Sequence, residues 1–202
     1  MADTGAPWNL PYPLATDLVR DGAQAIEDLA EATADGLSAA GGLVAVKSAI
    51  FKGTQTNSTA SGANFAVTNL SIEHALADAS NRLIISAFFG TAASNSGQGN
   101  VGLAVDDGTG LIAIGDADGS RTRVTAGGQN VEFDERGLTN VTMPSVTFVH
   151  TPGDTTSRTY TVRAINIAGS TQTLFINRSE QDNNVETRPR AVSSLVIQEV
   201  RA

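Results

Sequence analysis

Beyond residue 42 the chain alternates apolar and polar positions with a period of two, whereas one stretch before it repeats at a helical interval. The alternation is cleanest in SRTYTVRAINI, where Tyr160, Val162, Ala164 and Asn166 point one way and Thr161, Arg163 and Ile165 the other. Gly, Asn, Asp and Ser clusters bound similar runs at 44–51, 64–72, 82–89, 100–107, 110–116, 120–126, 145–151, 157–166, 171–177 and 193–202. Short strands at this even spacing, with no long helix among them, predict a mostly β chain whose residues 43–202 form an antiparallel β-sandwich of jelly-roll type.

The helical stretch is TDLVRDGAQAIEDLAEATADGLSAAGG. Thr16 suits an N-cap, Asp17 favours the helix dipole, and Gly41-Gly42 ends the run, which predicts a helix over 16–38. Val19 and Ile26 lie seven residues apart; Ala23, Ala30 and Leu37 form a companion row at the same interval, with Leu29 beside it. The stripe is thin and rich in alanine, and Thr33 interrupts it, so such a helix needs a partner. The heptad interval favours a short parallel coiled coil with copies of itself, the alternative being docking on its own β domain.

Residues 1–13 carry three prolines, the only tryptophan and one of the two tyrosines. Proline fixes φ and removes a donor, so this piece reads as an extended arm with Trp8 and Tyr12 as anchors. Three regions follow: an arm at 1–13, a helix at 14–42 and a β domain at 43–202.

Charge and composition narrow the function classes. The 202 residues carry a formal net charge of -8, and the 13 Lys and Arg are scattered, so no basic face is expected to meet nucleic acid. With no cysteine, disulfides, thiolate metal sites and cysteine nucleophiles are ruled out. The start, MADTGAPWNLPYP, has neither a basic nor an apolar signal region, and the longest apolar runs, such as LIISAFF, fall short of a span of ~20 residues, so a soluble chain without membrane insertion is expected.

IGDADGSRTRV crowds acidic and hydroxyl oxygens, two glycines and two arginines together. A twelve-residue calcium loop needs a carboxylate at its last position and helices around it; that position is Gly127, and strands are predicted instead. A looser calcium cage from Asp106, Asp107, Asp116 and Asp118 stays open beside the simpler reading, in which VDDGTGL and GDADGSR are successive hairpin turns. Neither is a phosphate cradle, since no helix start follows. His74 and His150 have no G-x-S-x-G partner, Asp78 would share a face with His74 only on a helix, and both histidines read as polar surface residues. No catalytic residue, metal or cofactor is expected. The sequons NRS at 177–179 and NVT at 140–142 read as chance matches in a chain without an export signal.

Three pieces of the chain, in order, resemble known proteins. PYPLATDLVRDGAQAIEDLAEA resembles the N-terminal attachment segment of bacteriophage tail and fibre proteins. IGDADGSRTRVTAG, TYTVRAINIAGSTQTLFINRSEQDN and RAVSSLVIQEV resemble the β domain at the ends of fibres and other virion proteins, marine phages in particular. The resemblance implies a non-enzymatic virion structural protein made in the host cytoplasm: a homotrimer with a short stalk and an outward β knob. It implies attachment to other virion proteins of tail or capsid through Pro7, Trp8, Leu10, Pro11, Tyr12 and Pro13, and trimerisation through Val19, Ala23, Ile26, Leu29, Ala30 and Leu37. Candidate receptor loops, for a host cell-surface glycan, are TAASNSGQGN with Asn95, Ser96, Gln98 and Asn100, and SEQDNNVETRP with Glu180, Gln181, Asp182 and Asn183. The chain lacks the long β-helical shaft of tail fibres, so a capsid (head) decoration protein without receptor binding is the alternative.

Overall fold

The computed structural model describes residues 2–3, 11–12, 22–39, 42–93, 100–129, 141–186 and 188–202. Two short strands, β1 (Ala2–Asp3) and β2 (Pro11–Tyr12), pair antiparallel ahead of α1 (Gly22–Ala39). The predicted helix start at 16 lies outside the described residues; its end falls one residue beyond the prediction, ahead of Gly41-Gly42.

The rest is strand: β3 (Leu43–Phe51), β4 (Gln55–Thr59), β5 (Asn64–His74), β6 (Arg82–Phe88), β7 (Thr91–Ala93), β8 (Asn100–Asp106), β9 (Leu111–Ile112), β10 (Ala126–Gln129), β11 (Ser145–His150), β12 (Arg158–Asn166), β13 (Gln172–Ile176) and β14 (Ser193–Val200). A four-stranded sheet runs β11-β6-β14-β3 and a five-stranded one β10-β8-β12-β5 with β9 also on β8, every pair antiparallel. The chain passes repeatedly between them, and its first and last sandwich strands, β3 and β14, lie side by side. This is the jelly roll expected from the alternation. Strand β9 pairs antiparallel with the end of β8, and a third sheet, β4-β13-β7, joins the predicted β13 to the polar β4 and the three-residue β7, which the sequence reading missed.

Between the sheets sit Leu83, Ile85 and Ala87 of β6 and Leu195 and Ile197 of β14, against Leu103 and Val105 of β8, Tyr160, Val162 and Ala164 of β12, and Val67, Leu70 and Ile72 of β5. Each large aliphatic side chain taken from water adds about 1.5–3 kcal/mol of gross stabilisation. Val67 and Leu70 are three residues apart yet both face inward, because β5 is irregular there and Asn69 takes a left-handed φ of 58°.

Two expectations need correcting. Residues 120–125 form no strand, and β10 starts only at Ala126: the GDADGSR turn closes through Gly115 N–H to the Val124 carbonyl at 3.3 Å, and Val124 then packs over Gly102 on the outer face of β8. Ile165, expected to point outward, is nevertheless buried at 1% because it pairs with Gly102 beneath that cover.

The register defines two ends. At the near end, where the chain enters from α1, Leu43 pairs with Val200. At the far end Phe51 pairs with Ser193, ~26 Å away at ~3.3 Å per residue.

Candidate interaction sites

Asn177 organises the far end. It follows β13, is fully buried and has a left-handed φ of 61°, a conformation that asparagine tolerates better than most residues. Its side-chain amide donates to the Phe51 carbonyl at 2.8 Å and the Gly53 carbonyl at 2.9 Å, while its Oδ1 accepts from Ser193 Oγ at 2.6 Å. Its backbone N–H donates to the Gly90 carbonyl at 2.7 Å, and its carbonyl accepts from Ala191 N–H at 3.1 Å. Both the sequon at 177 and the strand end LFINRS are thereby explained: the nitrogen that would carry a glycan is already used inside the protein.

From this root rises the loop between Arg178 and Arg190, which form an isolated antiparallel bridge. Asp182 receives Arg178 at 3.1 Å and Arg190 at 2.8 Å, and the Arg178 guanidinium also stacks 4.5 Å above the Phe175 ring. Ser179 Oγ donates to the Gln181 carbonyl at 2.8 Å. Glu180 and Gln181 are half-buried, whereas Asn183, Asn184 and Val185 are exposed. A polar hollow of about 260 Å³ is lined by Asp182, Asn183, Asn184, Val185, Arg188 and Arg190, with amide and guanidinium donors of the kind that bind hydroxyl and carboxylate groups.

The outer face of the β11-β6-β14-β3 sheet is unusual for a solvent-facing surface. Alternation along β14 buries Leu195, Ile197 and Glu199 and turns Ser194, Val196, Gln198 and Val200 outward. Beside them, β3 presents Val46, Ser48 and Ile50, β6 presents Ile84, Ser86 and Phe88, and β11 presents Ser145, Thr147 and Val149. Leu43, Val46, Ile50 and Val149 are 61%, 53%, 55% and 60% exposed. Both edges of the sheet, β3 and β11, have no strand beyond them among the described residues.

The near end holds two buried polar clusters. Glu199, 1% exposed, accepts from His74 Nε2 at 2.9 Å, Ala77 N–H at 2.8 Å and Asn81 Nδ2 at 2.6 Å. Burial alone would raise its pKa, but these three donors outweigh that and hold the carboxyl below its ordinary value. Asp107, 2% exposed, accepts from Thr109 Oγ1 at 2.6 Å, Thr109 N–H at 2.9 Å and Arg158 at 2.7 Å, and Arg158 also reaches Asp154 at 2.9 Å. Its pKa is likewise lowered: burial pushes it up, and the Thr109 and Arg158 donors more than offset this. His150 stands 3.6 Å from Asp107 and edge-on to Tyr160 at 5.9 Å; burial lowers its pKa, the attraction of Asp107 opposing and the charge of Arg158 assisting. Burial pushes the Tyr160 hydroxyl up to about 12.

Neither histidine is therefore the surface residue expected. His74 closes β5 facing inward, with Glu199 rather than Asp78 as its carboxylate, and Asp78 instead accepts from Ser80. Calcium also loses its cage: Asp106 is bound to Arg163 at 2.9 Å, Asp107 to Arg158, and Asp118 to Arg121. Among the described residues no group of three His, Cys, Asp or Glu side chains is placed to hold a metal ion.

The other predicted residues fall as follows. Pro7, Trp8, Leu10, Pro13, Val19, Asn95, Ser96 and Gln98 lie outside the described residues, as does the sequon residue Asn140. Pro11 and Tyr12 form β2, and Asn100 opens β8. In α1 lie Ala23, Ile26, Leu29, Ala30 and Leu37; Ile26 is 69% exposed, Leu29 half-buried and Ala30 exposed. Glu180, Gln181, Asp182 and Asn183 share the far-end loop. Sequence reasoning missed Asn177 and Glu199, although the parity of SSLVIQEV already puts Glu199 on the face of Leu195 and Ile197.

No protein-family model matches the chain, and no curated protein matches it. Among solved structures, one described as that of infectious bursal disease virus, Gx strain, is similar over 78% of this chain at 13% identity with a TM-score of 0.36, and the chain spans 40% of that structure's chain. Among the described residues no helix is long and apolar enough to cross a membrane.

Proposed function

We propose that this chain is a structural protein of a phage virion, a short trimeric spike or fibre that attaches to tail or capsid proteins through its N-terminal arm and presents its β domain to the host surface. The observation that carries this reading is polarity. Helix α1 enters the sandwich at the near end through the short 40–42 connection, while the Arg178-to-Arg190 loop is rooted ~26 Å away at the opposite end. Such a molecule holds its polar loops as far as the fold allows from its attachment point. The motif order described above supports the same assignment. In this reading the far-end hollow meets a host glycan, the partner chemistry that its amides and guanidinium groups suit, and no covalent chemistry is involved.

The test is competition. Purified full-length protein should reduce adsorption of the cognate phage to susceptible cells, and the Asn183→Ala, Arg190→Ala double variant should lose that effect while keeping the wild-type mass in solution. Protein that never competes, together with particles that lose stability but adsorb normally when the chain is deleted, would replace the spike by a capsid decoration protein.

A further inference from the structure

We infer that the outer face of the β11-β6-β14-β3 sheet is a contact surface between copies of this chain, turned toward the three-fold axis set by α1, where the corresponding faces of its neighbours converge. The inference rests on the trimeric reading above and names the surface that would complete it.

Three observations lead there. The first is electrostatic: a chain of net charge -8 repels its copies wherever carboxylates oppose one another. The outward residues of these four strands include no carboxylate, and their one formal charge, Arg82, stands at the near-end margin as the first residue of β6. The outer face of the opposite sheet carries Glu73 on β5 and Asp106 on β8. Of the two broad faces, the first can meet its copies without desolvating a carboxylate, whereas the second would bury Glu73 and the Asp106–Arg163 ion pair.

The second is continuity. Helix α1 ends at Ala39 and β3 starts at Leu43, so the chain can carry Leu43 no more than ~14 Å from the helix end. Helices packed together lie ~8–10 Å apart. Pairing of the helices therefore brings the β3 edges of neighbouring copies close to a common axis, with Val46 and Ile50 already on the exposed side.

The third is size. Four strands at ~4.8 Å and eight residues at ~3.3 Å give a flat footprint of roughly 500 Å², which side-chain relief and the adjoining helix extend toward the ~800 Å² per partner of a stable interface. A long, apolar edge such as β3, whose one charge is Lys47, is also what soluble proteins avoid leaving uncovered. Lys47 does not blunt this edge, because its Nζ donates to the Glu73 carbonyl at 2.8 Å across the sandwich.

The chain has no cysteine, so one introduced thiol reports on one place. Full-length Ser48→Cys, midway along the edge strand β3 of this face, is compared with Ser71→Cys on the opposite sheet by alkylation rate, alongside the mass by light scattering. A mass of about 62 kDa, three times the 20.8 kDa chain, with Ser48→Cys alkylated at least ~10-fold more slowly than Ser71→Cys, supports the interface. The same mass with equal rates overturns the interface and leaves the trimer to the helix alone. A mass of 20.8 kDa overturns the trimeric reading and the interface with it, and slow alkylation in that monomer would assign the face to the chain's own N-terminal region. As a second variant, Val46→Glu with Val196→Glu should shift assembly to at least ~10-fold higher protein concentration; unchanged assembly counts against the interface.

Discussion

Replacing Asn177 by alanine should be among the most damaging single changes in the β domain. The variant strips the partner from the buried Phe51 carbonyl, the part-buried Gly53 carbonyl and the buried Ser193 hydroxyl, and it places a Cβ-bearing residue without polar compensation at φ 61°. Each buried group left unpaired costs about 1–3 kcal/mol, and the left-handed backbone about 1 kcal/mol more than for asparagine. With partial relaxation the total is about 3–5 kcal/mol, a large part of the roughly 5–15 kcal/mol that a domain has in hand. Urea unfolding at fixed protein concentration reads the change: with a slope of ~1–3 kcal/mol per molar, the midpoint should fall by about 1–3 M. Two companions separate backbone from side chain. Asn177→Gly should recover only the backbone part, about 1 kcal/mol, and Asn177→Asp should be worse than alanine because it aims a carboxylate at two carbonyl oxygens. An alanine variant that loses less than ~1 kcal/mol, or a glycine variant as stable as wild type, would refute the role given to the side chain.

Other perturbations reach different parts of the molecule. Asp107→Ala leaves part of the Arg158 charge uncompensated beside the core and should cost about 3 kcal/mol in the same assay, less in an Arg158→Met background. Gly102→Ala drives a Cβ into Val124 and should cost about 1–3 kcal/mol, relieved by Val124→Ala. Stability should also fall in acid in two windows. His150 has a folded pKa below its ordinary 6.5, so its contribution is complete above that value and is lost as pH falls beneath it. Glu199 and Asp107, lowered from 4.5 and 3.8, produce a second loss at lower pH, and His150→Phe should abolish only the first.

Much of the sandwich was readable because its inner face is a two-residue period: Tyr160, Val162 and Ala164 are buried just as SRTYTVRAIN implies. Strands without that signal escaped notice, since the apolar content of QTNST is nil and β4 is held by its ladder to β13 and by side-chain hydrogen bonds of Gln55 and Asn166 rather than by apolar packing. Residues 120–125 misled for the opposite reason: SRTRVT alternates like a strand, but its one aliphatic, Val124, is used to cover Gly102, and the strand begins only at Ala126. The polar sites were less legible than the core. A histidine read alone looks like surface; that His74 and Glu199 meet depends on β5 and β14 lying in opposite sheets at one end, a pairing across 125 residues that spacing does not encode. Asn177 carried a local signal, a single asparagine closing an apolar strand, but the sequon pattern competed for the same residue.

The adjacency of β3 and β14 also dictates when the domain can exist. β3 ends at Phe51 and its ladder partner begins at Ser193, so translation at ~5–20 residues per second leaves the first strand without its neighbour for roughly 10–30 s. No native sheet of the β11-β6-β14-β3 type can close before Ser193–Val200 leaves the ribosome, whereas α1 emerges earlier and needs none of it. In the trimeric reading proposed above, chains on one polysome meet through their helices before any domain has folded, which ties the choice of partners to synthesis. A nonsense codon anywhere upstream of Ser193 would yield an unfolded chain rather than a shortened knob.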